Sequence, residues 1–282
     1  MNDGPQASDV THTAAVERVI EYMYANLAYE ITIDDMARTA MFSKFHFSRL
    51  FHAVTGLSPG RFLSAVRLQA AKRMLISTTM SVTEICFRAG YNSVGTFSSR
   101  FAAIVGVPPT VYRYNGGYIS QLSVNARRND WSSSSNTLSG KIVTPSCEPG
   151  EYVFVGVFPD PIIQGKPIRY AICDNLSGIF KLDGIPAGTW YLLSYSFTQG
   201  DNSALLNPVH DNLSPLVAVH GPIAVKSRLP VRPVEMVMRP MRMIDPPVLL
   251  AVPDMGPPRS KRSVLLTRSL PDGCSSVVFE VR

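Results

Sequence analysis

Apolar residues recur on one face at helical spacing early in the chain, at Val16, Val19, Ile20, Met23 and Leu27, which predicts a helix that buries a stripe against a core. The same character continues to about residue 115. Gly56, Pro59, Gly60, Gly90, Gly95, Gly106, Pro108 and Pro109 interrupt it, mostly where a turn is wanted. A polar, Ser-rich stretch at 130–140 follows, and the pattern then changes. Lys141–Thr144, Tyr152–Phe158, Pro167–Ile172, Gly178–Leu182 and Thr189–Phe197 are short β-branched or aromatic runs between turn residues. Runs so spaced predict an all-β sandwich or barrel. The expectation is a multidomain chain, α then β. Its parts are a flexible N-terminus at 1–11, an all-α region at 12–116, a Ser-rich linker at 117–139, an all-β sandwich at 140–245 and a Pro-rich extension at 246–282.

Within the α region one unit occurs twice. At an offset of fifty, Ser43 meets Ser93, Phe47 meets Phe97, Ser48 meets Ser98, Phe51 meets Phe101, Gly56 meets Gly106 and Pro59 meets Pro109. Upstream the offset is forty-nine: Asp35 meets Glu84, Met36 meets Ile85 and Ala40 meets Ala89. A one-residue difference in the turn accounts for the change. Each copy reads as a short helix, a tight turn and a second helix. Thr32 caps Ile33–Thr39, Met41 and Phe42 turn, and Ser43 caps Lys44–Thr55 before Gly56. In the second copy Ser81 caps Val82–Ala89, Gly90 turns, and Ser93 caps Val94–Val105 before Gly106. Phe47, Leu50, Phe51 and Val54 share one face of the first long helix, as Phe97, Phe101 and Ile104 do in the second, and both sets read as core. A connecting helix is expected from about Arg61 to Leu75. At ~1.5 Å per residue it is roughly 22 Å long.

A short helix followed by a second with an exposed polar face is the helix-turn-helix pattern, whose second helix enters the DNA major groove. Lys44, Phe45, Ser48, Arg49 and His52 make that face in the first copy, and Val94, Gly95, Thr96, Ser99 and Arg100 in the second. Two copies in register are far more specific than one.

Charge sharpens this picture. The net charge is +6. Between Asp35 and Glu84 there is no acid, while Arg38, Lys44, Arg49, Arg61, Arg67, Lys72 and Arg73 all occur. Such a stretch attracts phosphate, although it also describes a solvated basic face without a partner. The four cysteines, Cys86, Cys147, Cys173 and Cys274, form no CxxC pair or zinc-type cluster. They read as reduced thiols, in keeping with a cytoplasmic location. No signal peptide and no membrane-length apolar run are visible.

The stretches Ser43-Lys44-Phe45-His46-Phe47-Ser48-Arg49-Leu50-Phe51, Thr55-Gly56-Leu57-Ser58-Pro59, Gly90-Tyr91-Asn92-Ser93 and Gly106-Val107-Pro108-Pro109, with Arg67, Ala71, Leu75, Tyr112 and Arg113, resemble the AraC/XylS family of transcription regulators over about residues 12–115. The resemblance implies seven helices and a non-palindromic double-stranded DNA site bound by one chain. Base contacts would come from Phe45, Ser48 and Arg49 in the first unit and from Val94, Gly95, Thr96 and Ser99 in the second. Ser43, Lys44, Arg61, Ser93 and Arg100 complete the expected DNA surface, with Arg61 on a phosphate. Many relatives carry Arg where this chain has Ser99, so the second unit is expected to read bases less strongly.

In the second half, Gly178-Ile179-Phe180 through Gly184-Ile185-Pro186-Ala187-Gly188-Thr189-Trp190-Tyr191-Leu192-Leu193 resembles carboxypeptidase-regulatory-like domains, a transthyretin-type β-sandwich over about 140–245. Asp160, Asp174, Asp183 and Asp211 read as turn residues, and His210 and His220 as solvated. No nucleophile, metal or phosphate-loop motif stands out, so no enzyme, metal or cofactor is expected. Trp190, Tyr191 and Tyr195 are candidates for an effector pocket or a subunit contact. The leading expectation is a DNA-binding transcription regulator whose β-domain senses an unknown small-molecule effector or mediates assembly, with RNA polymerase as a further partner and no membrane. The alternatives are an architectural DNA-binding protein whose sandwich only oligomerises, and an enzyme on a DNA tether.

Overall fold

A computed structural model describes residues 7–119, 136–145, 151–174, 178–198, 215–226 and 231–253. Seven helices come first: α1 (Ala7–Ala25), α2 (Ile33–Ala40), α3 (Lys44–Thr55), α4 (Pro59–Ser77), α5 (Val82–Arg88), α6 (Val94–Val105) and α7 (Pro109–Tyr114). Both helix pairs start as the sequence predicts. Thr32, Ser43, Ser81 and Ser93 each place a side-chain oxygen on the backbone N–H three residues on, satisfying one of the donors a helix start leaves open. Asp35 and Glu84, equivalent in the repeat, reach back to the backbone N–H of Thr32 and Ser81 and close two capping boxes. Hydrogen bonds from the Thr32 and Ser81 hydroxyls, and then from those backbone N–H groups, hold both carboxyls below their ordinary range. The connector α4 is longer than predicted, because Pro59 suits the first turn of a helix. Its nineteen residues span about 28 Å.

The β region has two facing sheets. One holds β5 (Ile179–Asp183), β2 (Thr137–Val143) and β8 (Val234–Val237), with β2 antiparallel to β5 and parallel to β8. The other runs β4 (Tyr170–Asp174), β3 (Glu151–Phe158), β6 (Gly188–Thr198), β7 (Leu216–Val225) and β9 (Arg239–Pro240), all antiparallel. Leu138, Ile142, Phe180 and Leu182 from the first sheet pack with Val153, Val155, Val157 and Leu192 from the second. The chain is thus helical first and strand-rich second. Gly140 sits where the sheet is tightest, since a Cβ there would lie 2.0 Å from the Val234 carbonyl oxygen.

Sequence reasoning did not anticipate how the two regions join. Across β3 and most of β6, the far face of the five-stranded sheet is covered by the helices. Phe154, Phe158, Leu193, Tyr195 and Phe197 share one continuous core with Phe101, Val105 and Tyr112 of the helical region. Both described ends of the expected linker enter strands. Tyr118–Ile119 form a short strand, β1, parallel to β10 (Val252–Pro253), and β2 begins at Thr137. The start of the expected Pro-rich extension is core: Val248, Leu249, Leu250 and Ala251 are buried against the helices. The Ser-rich stretch at 130–135, residues 254–282, Cys147, Cys274, His210 and Asp211 lie outside the described residues. Cys86 and Cys173 are buried and form no disulfide among the described residues. Among the described residues no helix is long and apolar enough to cross a membrane.

Candidate nucleic-acid interface

Each long helix of the repeat buries one side and exposes the other. In α3, Phe47, Phe51 and Thr55 face the core; in α6, Phe97, Phe101 and Val105 do. The predicted contact residues lie on the open sides. Ser43, Lys44, Phe45 and Arg49 are exposed and Ser48 is half-buried. Ser93, Gly95, Thr96, Ser99 and Arg100 are exposed and Val94 is half-buried. The described part of the β region therefore leaves the open sides of α3 and α6 uncovered. Phe45 is 83% exposed, unusual for a large apolar side chain.

Some candidate side chains already have local partners. The Ser43 and Ser93 hydroxyls accept from His46 N and Thr96 N at 3.4 and 3.3 Å. Ser48 donates to the Lys44 carbonyl at 2.9 Å. Lys44 pairs with Asp34 across the first turn at 2.8 Å. Arg49 has no ion-pair partner among the described residues. Arg61, expected to face a phosphate, instead pairs with Asp160 of the β3–β4 loop: Nη2 to Oδ2 is 3.0 Å and Nη1 to Oδ1 is 3.4 Å. All four members of these two pairs are about half exposed, and pairs of that kind contribute roughly 0–1 kcal/mol.

The helical units touch each other at the Gly90 turn. Gly90 has φ +77°, and a Cβ there would lie 2.1 Å from the Leu27 carbonyl oxygen and 2.7 Å from Arg67 Nε. Arg67 in turn donates to the Tyr29 carbonyl at 2.8 Å. Hence the α1–α2 loop, the connector and the second turn meet at one point.

The β region holds the second unit more firmly than the first. Gly165 N donates to the Ile104 carbonyl at 2.7 Å and Ala251 N to the Val105 carbonyl at 3.0 Å. These are two of the carbonyls that the end of α6 would otherwise leave unpaired. Lys72, read from sequence as part of a basic surface, is buried. Its Nζ donates to the Val248 and Leu250 carbonyls at 2.8 and 3.2 Å and lies 6.0 Å from the centre of the Tyr112 ring. Burial pushes it down to about 7. Nothing local in the sequence separates Lys72 from the exposed Arg73 beside it.

Trp190, Tyr191 and Tyr195 are not brought together. Trp190 packs on the sandwich core and donates its indole N–H to the Pro186 carbonyl. Tyr191 and Tyr195 pack toward the helices. Tyr195 is fully buried, stacked on Phe154 at 5.0 Å between ring centres, and burial raises its hydroxyl above the ordinary range.

This is a double helix-turn-helix protein with a strand-rich region fused to it. A model of a helix-turn-helix domain matches residues 36–115. The Transposon Tn10 TetD protein of Escherichia coli is 34% identical over 104 residues, which cover 37% of this chain and 75% of that protein. The HTH-type transcriptional activator AarP of Providencia stuartii is 26% identical over 101 residues, 36% of this chain and 75% of that protein. A solved DNA-binding domain of AdpA, described as a global transcriptional factor in complex with a target DNA, is 27% identical. It covers 36% of this chain and 90% of that one, with a TM-score of 0.34. By its helical region the chain belongs to the AraC family of helix-turn-helix proteins.

Proposed function

We propose that this protein is a sequence-specific DNA-binding transcription regulator that reads two successive major-groove segments with α3 and α6. The observation that carries the reading is that both helices bury their aromatic side and leave the predicted contact side open. Phe45, Ser48 and Arg49 contact bases in the first half-site; Val94, Gly95, Thr96 and Ser99 do so in the second. Ser43, Lys44, Arg61, Ser93 and Arg100 lie toward the flanking phosphates. The connector, about 28 Å long, is near the ~34 Å of one DNA turn, which supports placing both helices on one side of the duplex. The strand-rich region is a carboxypeptidase-regulatory-like sandwich in this reading, and it serves effector sensing or assembly in a cytoplasmic regulator.

Selection of genomic fragments followed by footprinting tests the proposal. Protection should span about two helical turns. Arg49→Ala should weaken the selected site about 10- to 100-fold and relax the base preference in one half only. Weak, salt-labile protection without a preferred sequence would favour an architectural role. The apolar and small groups on the second helix, Val94 and Gly95, are what keep that second reading in view.

A further inference from the structure

We infer that Asp160, on the β3–β4 loop, sets how tightly this protein holds DNA by competing with a backbone phosphate for the guanidinium of Arg61. The inference rests on the DNA-binding reading above and adds a determinant from outside the helical region.

Arg61 stands in the first turn of α4, and the two partners face each other oxygen to nitrogen along both arms, at 3.0 and 3.4 Å. Carboxylate and phosphate present the same paired acceptors to a guanidinium, so the two anions are alternative occupants of one fork. In the acid-free stretch after Asp35, Arg38 pairs with Asp35 and Lys44 with Asp34, both just upstream. Asp160, by contrast, reaches Arg61 from the β region.

The carboxylate is also held in place. Asp160 lies between Pro159 and Pro161, whose rings restrict the backbone on both sides. Ile162 and Ile163 are buried in the shared core, and Gly165 is bonded to the end of α6. Pro161 stands against Gly56, the cap of α3, its Cγ 3.9 Å from where a Cβ of Gly56 would be. The loop therefore touches the ends of both α3 and α6 and presents its acid at the start of α4. Both side chains of the pair are about half exposed, so a phosphate can displace the carboxylate, and must do so to gain Arg61.

Duplex binding is measured against salt for the full chain, for Asp160→Asn, for Arg61→Ala and for the double variant, with Glu235→Gln as a control for net charge alone. Asp160→Asn should tighten binding about two- to fivefold at low salt and steepen the log–log salt slope by about 0.9, one further phosphate. The gain should vanish when Arg61 is alanine, and Glu235→Gln should leave the slope unchanged. An unaltered slope in Asp160→Asn, or an equal gain without Arg61, overturns the inference while leaving the DNA-binding reading intact. Because a phosphate contact needs no particular base sequence, any duplex serves. Failure of the parent chain to bind any duplex would overturn both.

Discussion

The two helix-turn-helix units share one architecture and differ in what surrounds them. In the first, the turn residue that adopts the left-handed conformation is Met41, φ 63°, with its side chain in solvent. In the second it is Gly90, φ 77°, with its Cα against the Leu27 carbonyl and Arg67. The first recognition helix carries Lys44 and Arg49 on its open side; the second offers Val94, Gly95, Thr96 and Ser99, with Arg100 as its charge. The β region caps the last carbonyls of α6, while it meets the end of α3 through Pro161 and an exposed ion pair. One motif has thus been divided by its context. The more charged unit meets the β region through side chains, and the less charged one is bonded to it through backbone.

The turns give the sharpest way to break that comparison. Gly90→Ala needs a strained φ and drives a Cβ into backbone at 2.1 Å. It should lower stability by about 3 kcal/mol, read as a large fall in the denaturant midpoint, whereas an ordinary surface change stays within roughly 0.5 kcal/mol.

The buried Lys72, which ties the connector to Val248 and Leu250, gives an intermediate effect. Its amine is depressed from its ordinary value to about 7 by burial. Between there and the unfolded value the unfolded chain binds more protons, so stability should rise with pH across that window. The thermal midpoint should climb between pH 7 and 9, and the climb should flatten in Lys72→Met. A midpoint that falls equally in both proteins over that range would refute the assignment.

The smallest effect lies at the other turn. Met41→Gly should stabilise by about 1 kcal/mol or less, because glycine removes a left-handed cost of roughly 1–2 kcal/mol and returns part of it as chain entropy. A loss in Gly90→Ala well beyond the gain in Met41→Gly, measured by chemical denaturation, would establish that the tertiary neighbours of Gly90 add to the preference of the turn itself for glycine.

Much of the helical region was legible because its determinants are local. The repeat offset changes from forty-nine to fifty where Met41-Phe42 is matched by Gly90-Tyr91-Asn92, and both turns fall there. The caps at Ser43 and Ser93 fix helix starts to the residue. The strands were read less fully. β7 was missed, since His220-Gly221-Pro222 breaks its apolar alternation. Arg61 and Asp160 were each seen, one as a phosphate contact and one as a turn acid, but ninety-nine positions separate them. No local pattern links such a pair.

The sequence by itself determined the two helix-turn-helix units, their turns and their open faces, along with a strand-rich second half. Capping chemistry and hydrophobic periodicity act within a few residues and need no distant partner. Tertiary structure alone decided that Lys72 is buried while Arg73 is exposed, that Tyr195 lies in a shared core, and that residues 248–252 belong to the helical region. Those outcomes depend on which apolar face finds another. Burial is non-directional and grows with area, so an apolar run shows that a surface will be covered but not what will cover it.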